Sequence, residues 1–138
     1  MTGLTMNQIE IGQSASFAKT ITETDVYMFA GITGDFNPAH VNEEYAKNTT
    51  FKGRIAHGML GASLISTVLA MQLPGPGTIY LKQDVKFLAP VRLGSTITAT
   101  LTVKEKIEDK NRLVLDCVVT NQDGVQVIVG KAMVMPPK

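Results

Sequence analysis

Residues 58–73 read Gly58-Met59-Leu60-Gly61-Ala62-Ser63-Leu64-Ile65-Ser66-Thr67-Val68-Leu69-Ala70-Met71-Gln72-Leu73, the most apolar stretch of the chain and one without a charged residue. At about 1.5 Å per residue this run makes a helix on the order of 24 Å long, stopped by Pro74-Gly75-Pro76-Gly77. Apolar side chains fall nearly all round it, whereas a helix lying on a surface shows a stripe. The pattern predicts a helix wrapped on several sides by the rest of the protein. Ser63, Ser66 and Thr67 are the hydroxyls within it. Such hydroxyls usually bond back to the preceding turn, so at least two of the three are read as structural.

After Gly77 the period changes to two, the period of a strand. Ile79, Leu81, Val85 and Phe87 share one face, and Tyr80, Lys82, Asp84 and Lys86 the other. Ile97, Ala99, Leu101 and Val103 alternate with threonines, and Leu113, Leu115, Cys117 and Val119 continue the pattern. Asp123-Gly124 is a hairpin signal before a last strand at 125–135. Four long strands with short turns at Glu108–Asn111 and Asn121–Gly124 predict an antiparallel meander. Burying both the apolar face of that sheet and the central helix requires curling the one around the other. The expected fold class is α+β, a curved antiparallel sheet wrapped around a central apolar helix.

The front of the chain supplies the smaller elements. A short strand is expected at 16–21. Thr22-Glu23-Thr24-Asp25 resembles a helix start, since a hydroxyl caps free N–H groups and acids suit that end of the dipole. Val26, Phe29, Ala30 and Ile32 recur at helical spacing, giving a helix at 23–33. Gly34-Asp35-Phe36-Asn37-Pro38 ends it, and a short helix follows at 43–47 with Asn42 as its cap.

With 138 residues, 44% hydrophobic and 18% charged, the chain has the size and composition of one folded domain, read as residues 1–138. Thirteen basic and twelve acidic residues leave a formal charge of +1 without a basic block, so nucleic acid is not an expected partner. A single cysteine, Cys117, excludes an internal disulfide and a thiolate-rich metal site. The first fifteen residues lack the apolar core of a signal peptide, and no apolar run reaches 18 residues. The expectation is a cytoplasmic protein that does not enter a membrane.

Two histidines are the candidates for proton transfer near neutral pH, His40 and His57. His40 lies five residues after Asp35, across Asn37-Pro38. That spacing can bring a carboxylate and an imidazole to one water. It equally fits a turn in which Asp35 and Asn37 bond to nearby backbone N–H groups. A metal would need a third ligand, and Glu43 and Glu44 better suit a helix N-terminus, so none is expected. His57 directly precedes Gly58, where the helix begins and its free N–H groups form an anion site. Gly58 has no Cβ to keep a ligand oxygen away from the backbone. His57 itself is read as a partly buried structural residue.

Phe29-Ala30-Gly31-Ile32-Thr33-Gly34-Asp35-Phe36-Asn37-Pro38-Ala39-His40, with Ala46 six positions on, resembles the signature of the MaoC-like (R)-specific enoyl-CoA hydratases. The likeness continues through Arg54-Ile55-Ala56-His57-Gly58-Met59-Leu60, the serine-containing helix, Leu73–Tyr80 and Phe87-Leu88-Ala89-Pro90-Val91, so that it covers about residues 10–136. Ala39 departs from it, standing where Leu, Ile or Val is usual. The resemblance implies a hot-dog fold with a site where two subunits meet, hence a homodimer or a dimer-based oligomer. It implies reversible addition of water to a trans-2-enoyl thioester, giving the (3R)-hydroxyacyl thioester. Carried over by position, Asp35 and His40 hold and activate the water, the Gly58 amide holds the thioester oxygen, Ser66 lies near the substrate and Asn37 supports the turn. The acyl-CoA is then the substrate, no further cofactor is expected, and acyl carrier protein is the alternative carrier. Lys47, Lys52, Arg54, Lys82 and Lys86 are candidates for the CoA phosphates. A thioesterase is disfavoured because residues 58–73 contain no Asp or Glu. A non-catalytic thioester-binding subunit is disfavoured by the presence of both Asp35 and His40.

Overall fold

The computed structural model describes residues 1–138. Strands β1 (Ser14–Thr20), β2 (Ile79–Phe87), β3 (Thr96–Ile107), β4 (Arg112–Thr120) and β5 (Gln126–Met135) form one antiparallel sheet in the order β1-β3-β4-β5-β2. Helices α1 (Glu23–Thr33), α2 (Pro38–Val41), α3 (Glu43–Ala46) and α4 (Gly58–Met71) complete the chain. No helix is long and apolar enough to cross a membrane.

The core lies between α4 and the concave face of the sheet. Leu64, Ile65, Val68 and Leu69 of α4 are buried against Ile97, Ala99, Leu101 and Val103 of β3, Leu113, Leu115, Cys117 and Val119 of β4, and Ile128, Ala132 and Val134 of β5. The buried residues of β3 and β4 are those placed on one face by the period of two. At about 25 cal/mol per Å² of apolar surface, burying each of the Leu, Ile and Val side chains contributes roughly 1.5–3 kcal/mol. This is the hot-dog arrangement. Gly61 allows the helix to come close, because a Cβ there would stand 3.2 Å from Ile128 Cδ1.

Three expectations are corrected. The meander contains three strands, not four: β3-β4-β5 are hairpin-connected, while β2 lies beside the last strand and reaches β3 through residues 88–95. Sequence spacing shows that a strand exists but not which neighbour it finds. The expected apolar face of β2 is also broken, by a register shift between Tyr80 and Lys82. Ile79, Leu81 and Phe87 are exposed, and Val85 alone of the four packs on the core. Finally, the wrapping of α4 leaves one strip of the helix open. Met59, Ser63, Ser66, Ala70 and Met71 form an uncovered strip, and only Ser63 bonds back, to the Leu60 carbonyl at 2.5 Å.

The small elements follow their caps. The Thr22 hydroxyl accepts the Asp25 N–H at 3.1 Å, and the Asp25 carboxylate accepts the Thr22 N–H at 2.9 Å, a reciprocal pair that starts α1. Val26 and Ala30 turn inward from α1, but Ile32 is 80% exposed. Gly34 ends the helix at φ 81°, a left-handed conformation that other residues adopt at a cost. Pro38 then opens α2, a single turn absent from the expected elements, where its missing N–H is no loss.

Strand β2 crosses β5 so closely that a Cβ on Gly130 would lie 2.0 Å from the Asp84 carbonyl oxygen. Backbone cannot yield there as a side chain would. Gly130→Ala should therefore destabilise the protein by at least about 1–3 kcal/mol, read as a lower urea midpoint with an unchanged slope.

Candidate functional site

Residues 54–57 join three parts of the molecule. The Ile55 N–H donates to the Ala39 carbonyl (3.2 Å), and the Ala56 N–H donates to the Val91 carbonyl (2.8 Å). This short extended stretch thereby fixes α2 on one side and the link after β2 on the other. It delivers His57 to the start of α4 and holds His40 through its own backbone.

His40 is partly buried, and its Nδ1 lies 2.8 Å from the Ile55 carbonyl oxygen. A carbonyl only accepts, so Nδ1 carries the proton and Nε2 keeps its lone pair. Asp35 is exposed at the end of α1. Its N–H donates to Thr33 Oγ1 (3.2 Å), and its Oδ1 accepts the Asn37 N–H (3.2 Å). Asn37 in turn accepts the Ala39 N–H on its side-chain oxygen (3.0 Å). The turn reading of this spacing is realised, and the geometry is compatible with the proton-transfer reading. Asn37 shapes the turn, and a second carboxylate oxygen of Asp35 remains free to face His40.

His57 is 3% exposed rather than partly buried. Its Nε2 donates to the Asp35 carbonyl oxygen at 2.9 Å. Its ring stacks on His40 with centroids 3.9 Å apart and planes at 29°, and Phe29 meets it from another side at 4.9 Å. Ligating atoms of Asp35, His40 and His57 lie within 4.8 Å of one another. The in-plane lone pairs of two stacked rings run side by side and do not converge on one point, a poor arrangement for one metal ion.

Gly58 is exposed, and neither its N–H nor that of Met59 bonds an acceptor in the chain. Two backbone donors at the positive end of α4 are therefore free. Gly58 has a packing reason as well as an access reason to be glycine: a Cβ would stand 2.8 Å from the Phe87 ring. These groups line a cavity of about 780 Å³ with Phe29, Phe51, Met59, Phe87, Ala89 and Ile128 among its walls. It is an apolar chamber with a carboxylate, an imidazole and a helix N-terminus at one end.

Ser66 stands apart from that group. It lies eight residues along α4 from Gly58, about 12 Å, and is exposed in a second hollow with Ser63, Tyr80 and Gln83. The two hollows share Phe29 and Met59. Cys117 is buried under the sheet, and burial pushes its thiol up to about 11, which makes it a packing residue and not a nucleophile.

Of the cationic candidates, Arg54 is committed elsewhere. Its guanidinium pairs with Glu23 at 2.5 Å and Glu43 at 3.5 Å, and donates to the Tyr27 hydroxyl at 3.1 Å, tying α1 to α3. Lys47 pairs with Glu44, while Lys52, Lys82 and Lys86 are exposed. Neither the Arg54 clamp nor the bond from His57 to Asp35 has a sequence signal. Arg54 reaches 31 residues to Glu23 and 27 to Tyr27, and His57 reaches 22 residues to a backbone carbonyl. The nearest sign was the histidine beside the helix-opening glycine.

The MaoC-like domain matches residues 6–124. An (R)-specific enoyl-CoA hydratase of Rhodospirillum rubrum is 56% identical over 129 residues, 94% of this chain and 89% of that protein. A 3-hydroxybutyryl-CoA dehydratase of Methylorubrum extorquens is 43% identical, over 98% of this chain and 85% of the other. Among solved structures, the unliganded R-hydratase PhaJ1 of Pseudomonas aeruginosa superposes with a TM-score of 0.94 at 45% identity, covering 99% of this chain and 88% of that one.

The Arg54 clamp makes an acid-dependent contribution to stability. The Arg54 guanidinium holds the Glu23 carboxyl below its ordinary value. A depressed carboxylate stabilises the fold above its unfolded value and loses that contribution as pH falls through the folded one. Urea midpoints measured from neutral pH to below about 4.5 should fall less steeply for Glu23→Gln than for the parent.

Proposed function

The chain belongs to the MaoC-like domain family, and from this we propose that it is an (R)-specific enoyl-CoA hydratase. It is a hydro-lyase that adds water reversibly to trans-2-enoyl-CoA and forms (3R)-hydroxyacyl-CoA. The observation that carries the site assignment is the meeting of Asp35, His40 and the free Gly58 N–H at one end of a single apolar cavity.

A water held between the Asp35 carboxylate and His40 Nε2 has an acceptor for each of its protons. As its oxygen bonds to C3 of the enoyl thioester, one O–H bond breaks and the pair takes the proton. The C2–C3 π electrons move toward the carbonyl, so that charge develops on the thioester oxygen as an enolate. That oxygen lies on the Gly58 N–H. A fixed backbone donor stabilises the charge more in the transition state than in the ground state, where the oxygen is only a carbonyl. The enolate then collapses as C2 takes a proton from the same pair, which returns the site to its starting state. Asp35 and His40 act as one coupled unit, and the proton belongs to the pair. Asn37 supports them by shaping the turn. Ser66 borders the neighbouring hollow and offers a hydroxyl beside the substrate.

The working unit is a homodimer. The uncovered strip of α4 lies beside β2, a sheet edge whose Ile79, Tyr80, Leu81 and Phe87 are exposed. An unpaired edge strand bearing apolar side chains is a template for association. Covering it with a second copy buries both the edge and the open face of the central helix, and adds a wall to the two hollows.

Purified protein should remove the enoyl absorbance of crotonyl-CoA, with product oxidised by an R-specific dehydrogenase and not by an S-specific one. Turnover of only an acyl-carrier-protein thioester would change the carrier, and an S product would overturn the assignment. Asp35→Asn should fold normally and hydrate at least about a hundredfold more slowly; an unchanged rate would remove Asp35 from the mechanism. Light scattering should give a dimer mass, and Leu81→Asp should lower it. An active monomer of the parent chain would contradict the dimer.

A further inference from the structure

His57 touches the catalytic pair from below without belonging to it. We infer that His57 is a positioning residue, whose Nε2–H holds the main chain of Asp35 so that the carboxylate faces His40. This rests on the hydratase reading above and assigns a role to a residue outside the reacting set.

Three observations separate this role from filling space. First, Asp35 is secured at three points. Two are short-range contacts within its own turn, with Thr33 and Asn37. The third, from His57 at 2.9 Å, is the only one that reaches out of the turn, across 22 residues, to the element carrying Gly58. That bond is the direct link between Asp35 and the element that carries the backbone donor. Without it Asp35 is tied to α4 only indirectly, through the bonds of Ala39 and His40 to Ile55. A reacting group displaced by an ångström can lose on the order of a hundredfold in rate.

Second, His57 does not act as a cap. It occupies the N-cap position of α4, but its side chain bonds none of the helix N–H groups. The donors of Gly58 and Met59 stay free for substrate, as the mechanism needs.

Third, Nδ1 of His57 is out of solvent and has no partner. An apolar ring of similar shape would fill this space without stranding a polar atom. What the imidazole adds is the one bond to Asp35. Stacking against His40 at 3.9 Å, with Phe29 on another side, locks the plane of the ring. The bond to Asp35 and the orientation of His40 are thereby coupled through a single rigid group.

Steady-state kinetics on crotonyl-CoA should separate the possibilities. His57→Phe keeps a ring against His40 and removes the donor. We expect kcat to fall at least about tenfold with KM within about twofold, in a protein with the circular dichroism of the parent. His57→Gln returns an N–H to the place of Nε2, and should recover at least about fivefold of that loss. In the Asp35→Asn background the His57→Phe change should cost less than about threefold, since a unit already broken loses little more. Should the Phe variant not fold, His57→Met takes its place. Parent-like kcat in folded His57→Phe, no recovery in His57→Gln, or full additivity with Asp35→Asn would each overturn the inference. An inactive Asp35→Asn beside a fully active His57→Phe would sink this role alone. A fully active Asp35→Asn would instead sink the hydratase site on which it rests.

Discussion

The seating of α4 in the concave face of the sheet is the constraint on which the other features depend. One side of the helix is continuous with the core, and Gly61 lets it approach Ile128 within ordinary contact. A helix docked this closely has no freedom to slide, because each neighbouring side chain occupies a groove of the sheet face. Its N-terminus is therefore fixed in space. The free N–H groups of Gly58 and Met59 become a stationary pair of donors, and the residues leading into the helix inherit the same rigidity. A preorganised dipole of this kind needs no rearrangement when charge develops in front of it.

Asp35 and His40 are positioned in the same cavity by a different device. The buried group that reaches Asp35 is His57, and Asp35 itself sits on an exposed turn. Its position comes from hydrogen bonds alone: the left-handed Gly34, the Asn37 cap, and the extended stretch 54–57 that receives α2 through Ala39 and His40. The Arg54 clamp adds electrostatic tension between α1 and α3, just outside this lattice. The site thus combines backbone donors anchored by hydrophobic burial with a carboxylate and an imidazole anchored by polar contacts. His57 belongs to both systems, at the start of α4 and against the Asp35 carbonyl.

The sheet is asymmetric in a way that bears on assembly. Its β1 edge exposes the small residues Ser14, Ser16, Ala18 and Thr20, while Ala15, Phe17 and Lys19 are half-buried. Its β2 edge carries large apolar side chains and runs beside the open strip of α4. Core burial is complete under β3 and β4 and thins toward β2. The cavity lies on that thin side, so the same region that lacks a cover is the one that leaves room for a ligand.

Much of this was legible in the residues. An uncharged apolar run between His57 and Pro74 can only be a central helix in a chain of this size. Ile97, Ala99, Leu101 and Val103 alternating with threonines, and Leu113, Leu115, Cys117 and Val119 at the same period, set strand identity and inward face for β3 and β4. Thr22, Gly34 and Asn42 mark helix ends, because caps depend on one residue and its near neighbours. The group Asp35, Asn37, His40 and Gly58 was likewise readable, through its resemblance to a family signature. What escaped depends on distance along the chain. Pairing of β2 with β5 instead of β3, the bond from His57 to Asp35 and the pair of Arg54 with Glu23 join residues far apart, and the exposure of Ile32 and of the β2 face depends on what packs over them. Local patterns determine which elements form and which way they face. Which elements become neighbours, and which nitrogen of a buried histidine finds which carbonyl, is decided by packing, since only the assembled core fixes those separations.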